Sequence, residues 1–485
     1  MASIIYKTLQ LYLLLLLVVR LEAAAFVPAS AFQIQNLFRT VDLTKSYLRE
    51  SASFIIENIS EEPQIEYYVA VPSGIVGNAT DSHLAIMEVK EKRVDAAVSL
   101  AVEIGPSNAD LADWWVPSDV QFYKVQLSKP LAAGETSTIQ MATATIGALE
   151  AQPKLIKQPE AQNLLWTGSK LALSPYKVAR QRTKVKLPDR GANAYSKVKN
   201  DPQVEDTTLT YGPYVDSEPF AAETIQVRYE YHFPVVEVTK LERELWVSHS
   251  GGNLATEERY WMTNAAAKLS EAFSRLRWQA SGMAGERSTA IQGFLVRLRP
   301  GARDVYFTDE IGNVSTSNFR ADIRDPVLDF RPRYPIFGGW NYSFTLGWNH
   351  DLGRSLKVLS TEDSGSDTYM LRVPLLEGPD NAAYDVAEVS IILPEGANVV
   401  DIFSTYGDYN KEESLLKSHL DTVGRTVVKL TLNNIVDEHR RNELYITYTY
   451  SSASSLHKPI IVSAAIAAIF FAWIILGRID VSISK

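Results

Sequence analysis

Cysteine is absent from all 485 residues. That excludes a disulfide framework, so each folded domain must be held by its own hydrophobic core, and it removes the thiolates from any zinc site. Histidine is scarce, at 7 residues, and scattered, with no H-E-x-x-H and no H-x-H; nothing has the spacing of a metal centre. No G-x-S-x-G elbow, P-loop or G-x-G-x-x-G occurs either, which argues against the hydrolase and nucleotide chemistries those loops serve. Lys and Arg number 48 against 57 Asp and Glu, a net charge of −9, and such a balance speaks against nucleic acid as a partner. The expectation is a chain with no catalytic, cofactor-binding or metal-binding residues.

Two segments come near to catalytic patterns. Ser248-His249-Ser250-Gly251-Gly252 follows the strand-like ELWV, but neighbours in a chain seldom provide nucleophile–base geometry, and the reading is a turn. Glu257 and Glu258 are adjacent; in a strand they point to opposite faces and make a poor acid/base pair.

What the chain does have is two apolar ends. Leu9 to Val19 reads LQLYLLLLLVV after the lone Lys7, too short to span a bilayer but fitting a signal-peptide core. Ala23 and Ala25 supply the small residues of a cleavage site, so residues 1–25 are expected to be a signal peptide with cleavage after Ala25. Pro459 to Gly477 reads PIIVSAAIAAIFFAWIILG without a charge, enough at 1.5 Å per residue to cross most of a hydrocarbon core of about 30 Å. A cleaved signal followed by one stop-transfer helix (459–477) gives a single-pass type I protein. Residues 26–458 then lie in the lumen and 478–485 form a cytosolic tail. Within the span, Ala464, Ala468 and Ala472 recur at i, i+4 and i+8. This strip of small side chains is the expected contact with a partner helix, the bulkier faces meeting membrane lipid.

Four N-x-S/T sequons fall on the lumenal side, at Asn58, Asn78, Asn313 and Asn341, and are the candidate glycosylation sites. Period-two alternation dominates this region: Ile225, Val227, Tyr229 and Tyr231; Tyr342, Phe344, Leu346 and Trp348; Val428, Leu430 and Leu432; Leu444, Ile446, Tyr448 and Tyr450. Such runs, rich in aromatic and β-branched residues and broken by Gly, Pro and Asp, predict antiparallel, sandwich-like sheets. One helix is expected near 263–278, where Thr263 or Asn264 caps NAAAKLSEAFSRLRW and Ala265, Leu269, Ala272 or Phe273, and Leu276 form an apolar stripe. In VARQRTKVKL, Arg180, Arg182, Lys184 and Lys186 occupy alternate positions. A strand there sets four cations on one face. The reading adopted is a solvated edge strand guarded by charge; the alternative is a docking surface for phosphate or an acidic partner.

The lumenal region also reads as internally duplicated. YVAVPSG from Tyr68 parallels FLVRLRPG from Phe294, PLAAGETSTIQM from Pro130 parallels PIFGGWNYSFTL from Pro335, and VRYEYHF parallels ITYTYSS. The expected organisation is mainly β, with lumenal β domains at 26–236 and 237–456, the second carrying the helical insertion.

Longer strings point to a family. ELWVSHSGG from Glu244, AAKLSEAFSRL from Ala266, YFTDEIGNVSTSNF from Tyr306 and RPRYPIFGGWNYSFTLGWN from Arg331 are followed by LPEGANVVDI, LDTVGRTVV and, past the apolar span, GRIDVSISK. Together they resemble the ribophorin I family, with weaker likeness in LSPYKVARQRTKVKL and LTYGPYVD and a short, fungal-like tail. The resemblance implies a non-catalytic subunit of the endoplasmic-reticulum oligosaccharyltransferase, which moves a dolichol-linked glycan onto Asn of N-x-S/T sequons. Its implied partners are the other subunits, including the catalytic one, the translocon through the complex, and nascent glycoproteins. The family's catalytic partner resembles a polytopic protein bearing W-W-D-Y-G, whereas here Trp114-Trp115 runs into Val116-Pro117. The alternative is a free-standing lumenal cargo receptor or lectin-like binder.

Overall fold

The computed structural model describes residues 31–478 apart from 73–82, 94–96, 106–119, 190–191, 198–200, 286, 323, 362–365, 408 and 419–420. The expected signal peptide, the cytosolic tail beyond Arg478, Asn78 and Trp114-Trp115 lie outside the described residues. The chain is mainly β and forms two compact units, Met1–His232 with Leu269–Ser288, and Phe233–Lys268 with Thr289–Lys485.

The first unit is built on β1 (Phe32–Asp42), β2 (Leu48–Asn58), β3 (His83–Lys92), β4 (Thr136–Ile146), β5 (Val178–Lys186) and β6 (Thr208–Ser217). With two short edge strands they form an eight-stranded sheet in the order Gln203–Glu205, β6, β5, β1, β2, β4, β3, Ala97–Ser99. The second unit uses β7 (Val236–Ser248), β8 (Asn253–Asn264), β9 (Arg303–Asp309), β10 (Asn341–Asp351), β11 (Ala382–Glu395) and β12 (Arg425–Val436). Its eight-stranded sheet runs Asn410–Leu416, β12, β11, β7, β8, β10, β9, Gly312–Asn313. Place by place the two sheets have the same order, and each contains one parallel pair at the same position, β1 with β5 and β7 with β11.

The smaller sheets repeat as well. Gln64–Pro72, Val120–Leu131 and Ala101–Ile104 in the first unit correspond to Phe294–Arg297, Val327–Phe330 and Ser317–Arg320 in the second. The four-stranded sheet through Asn163–Ser169 and Thr224–Glu230 corresponds to that through Ser366–Pro374 and Glu443–Ser451. The sequence parallels at Tyr68/Phe294, Pro130/Pro335 and VRYEYHF/ITYTYSS fall in or directly before equivalent strands.

The alternating runs form the inner faces. Ile225, Val227, Tyr229, Phe344, Leu346, Trp348, Val428, Leu430, Ile446 and Tyr448 are all buried. Each fully buried side chain of this kind contributes about 1.5–3 kcal/mol, the stabilisation on which a chain without cross-links depends. Phe32, Tyr67 and Tyr176 interlock in the first core, with ring centroids 5.0–5.6 Å apart; Tyr260 stacks on Phe344 at 4.7 Å in the second.

The helix expected over 263–278 is corrected. Thr263 and Asn264 end strand β8, and the helix is α1 (Arg275–Ala284), capped by the Ser274 hydroxyl and closed by Gly285 in the left-handed region. It buries none of its residues, and Leu269–Ser288 goes with the first unit. The helix-forming alanines are overridden by tertiary bonds. The Asn264 side chain accepts from the Ala266 N–H, Ser270 N–H donates to the Ile156 carbonyl, and Ala266 and Ala267 are buried. The last element is α2 (Ser452–Arg478), an apolar helix long enough to cross a membrane.

Candidate functional site

Strand β5 does not lie at an edge. It pairs with β1 on one side and β6 on the other, which corrects the edge-strand reading: there is no free edge for these cations to guard. Gln181, Thr183 and Val185 point inward and are buried, while Arg180 and Lys186 are exposed and Arg182 and Lys184 half-buried. Arg182 stands beside Phe38 and Lys184 beside Thr40 in the parallel register. The Lys184 Nζ lies 5.5 Å from the Phe38 ring centroid. The carboxylate of Asp42 is 4.0 Å from both Lys186 and Arg49. All four cations therefore share the outward face of an interior strand.

Beneath that sheet the first unit holds a partly open cleft of about 360 Å³. Phe54, Leu48, Met141, Val120 and Trp166 line it, with the Trp166 ring lying over Gly168, where a Cβ would come within 2.1 Å of it. Its one ion pair, Arg39 with Glu50 at 2.6 Å, is completed by a bond from Arg39 to the Ser169 carbonyl at 2.9 Å. The lining is mainly apolar, and its carboxylate, Glu50, is engaged by Arg39.

The second unit carries its concavity on the outward face of its large sheet, a groove of about 320 Å³. Alternation sends Glu244 and Trp246 from β7, Glu257 and Arg259 from β8, and Asn349 from β10 to this side, and Tyr306 of β9 closes it. Tyr306 lies flat over Gly347, where a Cβ would sit 2.1 Å from its ring. Its hydroxyl donates to Glu257 at 2.6 Å, and Arg259 donates to the same carboxylate at 2.7 Å. The Trp246 indole N–H donates to Glu244 at 3.1 Å. Of these residues only Glu257 stood out in the sequence, and as half of a carboxylate pair rather than as part of a groove, because the rows that meet here come from four separate strands.

On the inner side of the same strands lies a buried charged centre. Arg243 and Glu258 are fully buried and paired, Arg243 also meets Glu377 at 2.7 Å, and Tyr260 donates to Glu258 at 2.6 Å. Burial raises the Glu258 pKa above the usual carboxylate range, although Arg243 pulls the other way. Burial also opposes the Arg243 charge, but Glu258 and Glu377 outweigh it and hold the guanidinium pKa above its ordinary value. Glu257 faces out and Glu258 in, so the two adjacent carboxylates cannot work on one substrate.

The 248–252 segment is a turn between β7 and β8. Ser248 accepts the Gly251 N–H at 3.2 Å, and His249 is bonded to the Tyr448 hydroxyl at 2.7 Å within a ring of Tyr369, Tyr448 and Tyr450. Burial lowers the His249 pKa. The histidine is thus a packing group, tied to tyrosine rather than to serine. Among the described residues no group of three or more His, Asp or Glu is placed to hold a metal ion.

The sequons differ sharply in setting. Asn313 and Asn341 are exposed, at a hairpin turn and at the start of β10. Asn58 is fully buried: its amide donates to the Glu62 and Leu131 carbonyls and accepts from the Ser60 N–H and hydroxyl. A glycan on that nitrogen would break the bonds that close the first unit's core. Ala464, Ala468 and Ala472 lie along exposed α2. The strand Glu443–Ser451 passes into α2 without a linker, and Lys458 of the helix meets buried Asp421 at 2.6 Å.

Residues 32–477 match the family described as Ribophorin I. Among curated proteins the chain is similar to dolichyl-diphosphooligosaccharide–protein glycosyltransferase subunit 1A of Arabidopsis thaliana, 30% identical over 99% of this chain and 75% of that one. It is likewise similar to subunit 1 of the same name from Caenorhabditis elegans, 29% identical over 97% of this chain and 76% of that one. Native yeast LTA4 hydrolase aligns with 43% of this chain and 30% of its own at 9% identity and a TM-score of 0.27, too slight a likeness to bear on fold or chemistry.

Proposed function

This chain belongs to the ribophorin I family, and from that premise we propose that it is a non-catalytic subunit of a dolichyl-diphosphooligosaccharide–protein glycosyltransferase complex. In this reading it is a single-pass type I protein of the endoplasmic-reticulum membrane, with both β units in the lumen. It scaffolds the complex and holds glycoprotein substrates near the catalytic subunit, meeting the translocon through the assembled complex. The observation that carries the proposal is likeness along nearly the full length to proteins named as subunit 1 of that transferase. The non-catalytic part is supported by the fate of the reactive side chains: Glu257 and Glu258 stand back to back, and His249 is tied into a tyrosine ring. The outward row Arg180, Arg182, Lys184 and Lys186 on an interior strand is read as a docking surface for phosphate or an acidic partner.

Attachment is proposed to run through α2, where close backbone approach over the strip Ala464, Ala468 and Ala472 substitutes for the missing hydrophobic drive. Affinity purification in mild detergent is expected to bring down a transferase-active partner, while the isolated chain turns over no lipid-linked donor. Ala468→Leu should cut that co-purification several-fold and Ile469→Leu should leave it unchanged. Recovery of the chain alone, free of any transferase, would favour a cargo receptor instead. Full co-purification by the Ala468→Leu variant would remove the helix strip.

Glycosylation is proposed at the two exposed sequons. Asn313→Gln and Asn341→Gln should each increase gel mobility by one glycan, whereas Asn58→Gln should leave mobility unchanged and lower stability. A mobility shift in Asn58→Gln would refute the buried assignment.

A further inference from the structure

A sugar ring presents C–H patches on its faces and hydroxyls around its rim, so a site for it needs flat apolar surface beside groups that both donate and accept hydrogen bonds. The groove on the outer face of the second large sheet has that composition. Trp246 and Tyr306 supply rings, and Glu244, Glu257, Arg259 and Asn349 stand around them. We propose that this groove is a carbohydrate subsite that takes a neutral sugar residue of an oligosaccharide.

The charge arrangement selects among ligands. Glu257 is held by Arg259 at 2.7 Å, and Glu244 lies 3.9 Å from the same guanidinium. A cationic ligand would have to displace Arg259, and an anionic one would meet two carboxylates. A neutral polyhydroxyl ligand does neither, and it can use the remaining carboxylate lone pairs as acceptors. Amides extend the polar rim, Asn253 donating to Asn349 at 2.8 Å and Asn349 to Asp304 at 3.2 Å.

The rings are also fixed before any ligand arrives. Tyr306 is seated on Gly347 and tethered through its hydroxyl to Glu257, and the Trp246 N–H is bonded to Glu244. Little side-chain freedom remains to be lost on binding. At about 320 Å³ the groove falls at the small end of ligand sites, about 300–1,000 Å³, so it suits the end of a glycan rather than the whole. The choice of an oligosaccharide probe rests on the transferase-complex reading; the geometry does not.

The test uses the full-length protein in detergent with three free sugars at millimolar concentration: an oligomannose oligosaccharide, maltotriose and the anionic sialyllactose. Saturation-transfer NMR detects contact, and tryptophan fluorescence titration gives the affinity. Wild type should bind a neutral sugar. Trp246→Ala and Tyr306→Ala should each weaken binding about tenfold or more, a loss of roughly 1.4 kcal/mol. Trp261→Ala, on the same sheet face but outside the groove, should not. Glu257→Gln keeps every ring in place and should still weaken binding, which separates recognition from misfolding. The proposal falls if wild type contacts neither neutral sugar, if sialyllactose is preferred, or if Trp246→Ala and Glu257→Gln both bind normally. Failure here with co-purification intact removes the subsite and leaves the transferase-complex reading standing; lost co-purification with sugar binding intact removes that reading and leaves the subsite.

Discussion

Arg243→Met is expected to destabilise the second unit by about 3–5 kcal/mol, the cost of leaving a buried charge without its partner. Arg243 is fully buried between Glu258 and Glu377. Its removal leaves two inward carboxylates, of which Glu258 keeps the Tyr260 hydroxyl and Glu377 keeps the charge of Arg299. For a unit of this size the shift in melting temperature should be roughly 6–20 °C, read by tryptophan fluorescence on heating the full chain. The defect should also depend on pH with a known sign. A carboxyl whose folded-state pKa is raised above its unfolded value is favourable below the unfolded pKa and loses stability as pH rises through the folded one. Glu258 is already raised by burial, and losing Arg243 raises it further, so the variant should be closest to wild type in mild acid. Adding Glu258→Gln and Glu377→Gln should recover much of the loss. A single variant that melts with wild type at neutral pH would show that water reaches this centre.

Asn264→Ala should be nearly as damaging, although the residue has no charge. Its side chain accepts from the Val235 and Ala266 N–H groups at 3.2 and 3.1 Å and donates to the Thr289 and Ile336 carbonyls, both at 2.9 Å. The residue is fully buried, and each orphaned buried group costs about 1–3 kcal/mol. Some relaxation is expected, so the total should be about 3–5 kcal/mol. Asn264→Asp keeps both acceptor bonds but loses both donor bonds, and should also fail. An exposed control, Asn398→Ala, should stay within about 0.5 kcal/mol. Amide hydrogen exchange offers the local check: Val235 and Ala266 should lose protection first. Unchanged protection at both would mean that other groups hold these backbones.

The same asparagine marks how far the sequence could be read. Taken with its neighbours it looks like a helix cap, because Ser, Thr, Asp and Asn before an alanine run favour that role. What decides its conformation is a set of partners up to 72 residues away, Ile336 among them, and no local pattern carries that information. The strands were legible for the opposite reason: alternation at Tyr342, Phe344, Leu346 and Trp348 is itself the inner face of β10. The parallel pairs were not legible. β1 and β5 are separated by most of the first unit, and hairpin signals say nothing about such crossovers. Arg180, Arg182, Lys184 and Lys186 were correctly seen as one face, yet whether that strand had a free edge depended on its neighbour β1. The groove around Trp246 and Tyr306 stayed hidden because a pocket on a sheet face is assembled across strands.

The junction at Ser451 and Ser452 bears on bearings rather than on binding. A strand that turns into the apolar helix with no spare residue, tied by Lys458 on Asp421, couples the helix directly to the second unit. The helix runs about 40 Å at 1.5 Å per residue, and a roll about its long axis turns the unit joined to it like a key in a lock. Whichever side of the helix docks against a neighbour therefore sets the compass heading of the Trp246–Tyr306 groove. One extra residue at the junction would spin that heading by about 100°, a turn of one position at 3.6 residues per turn.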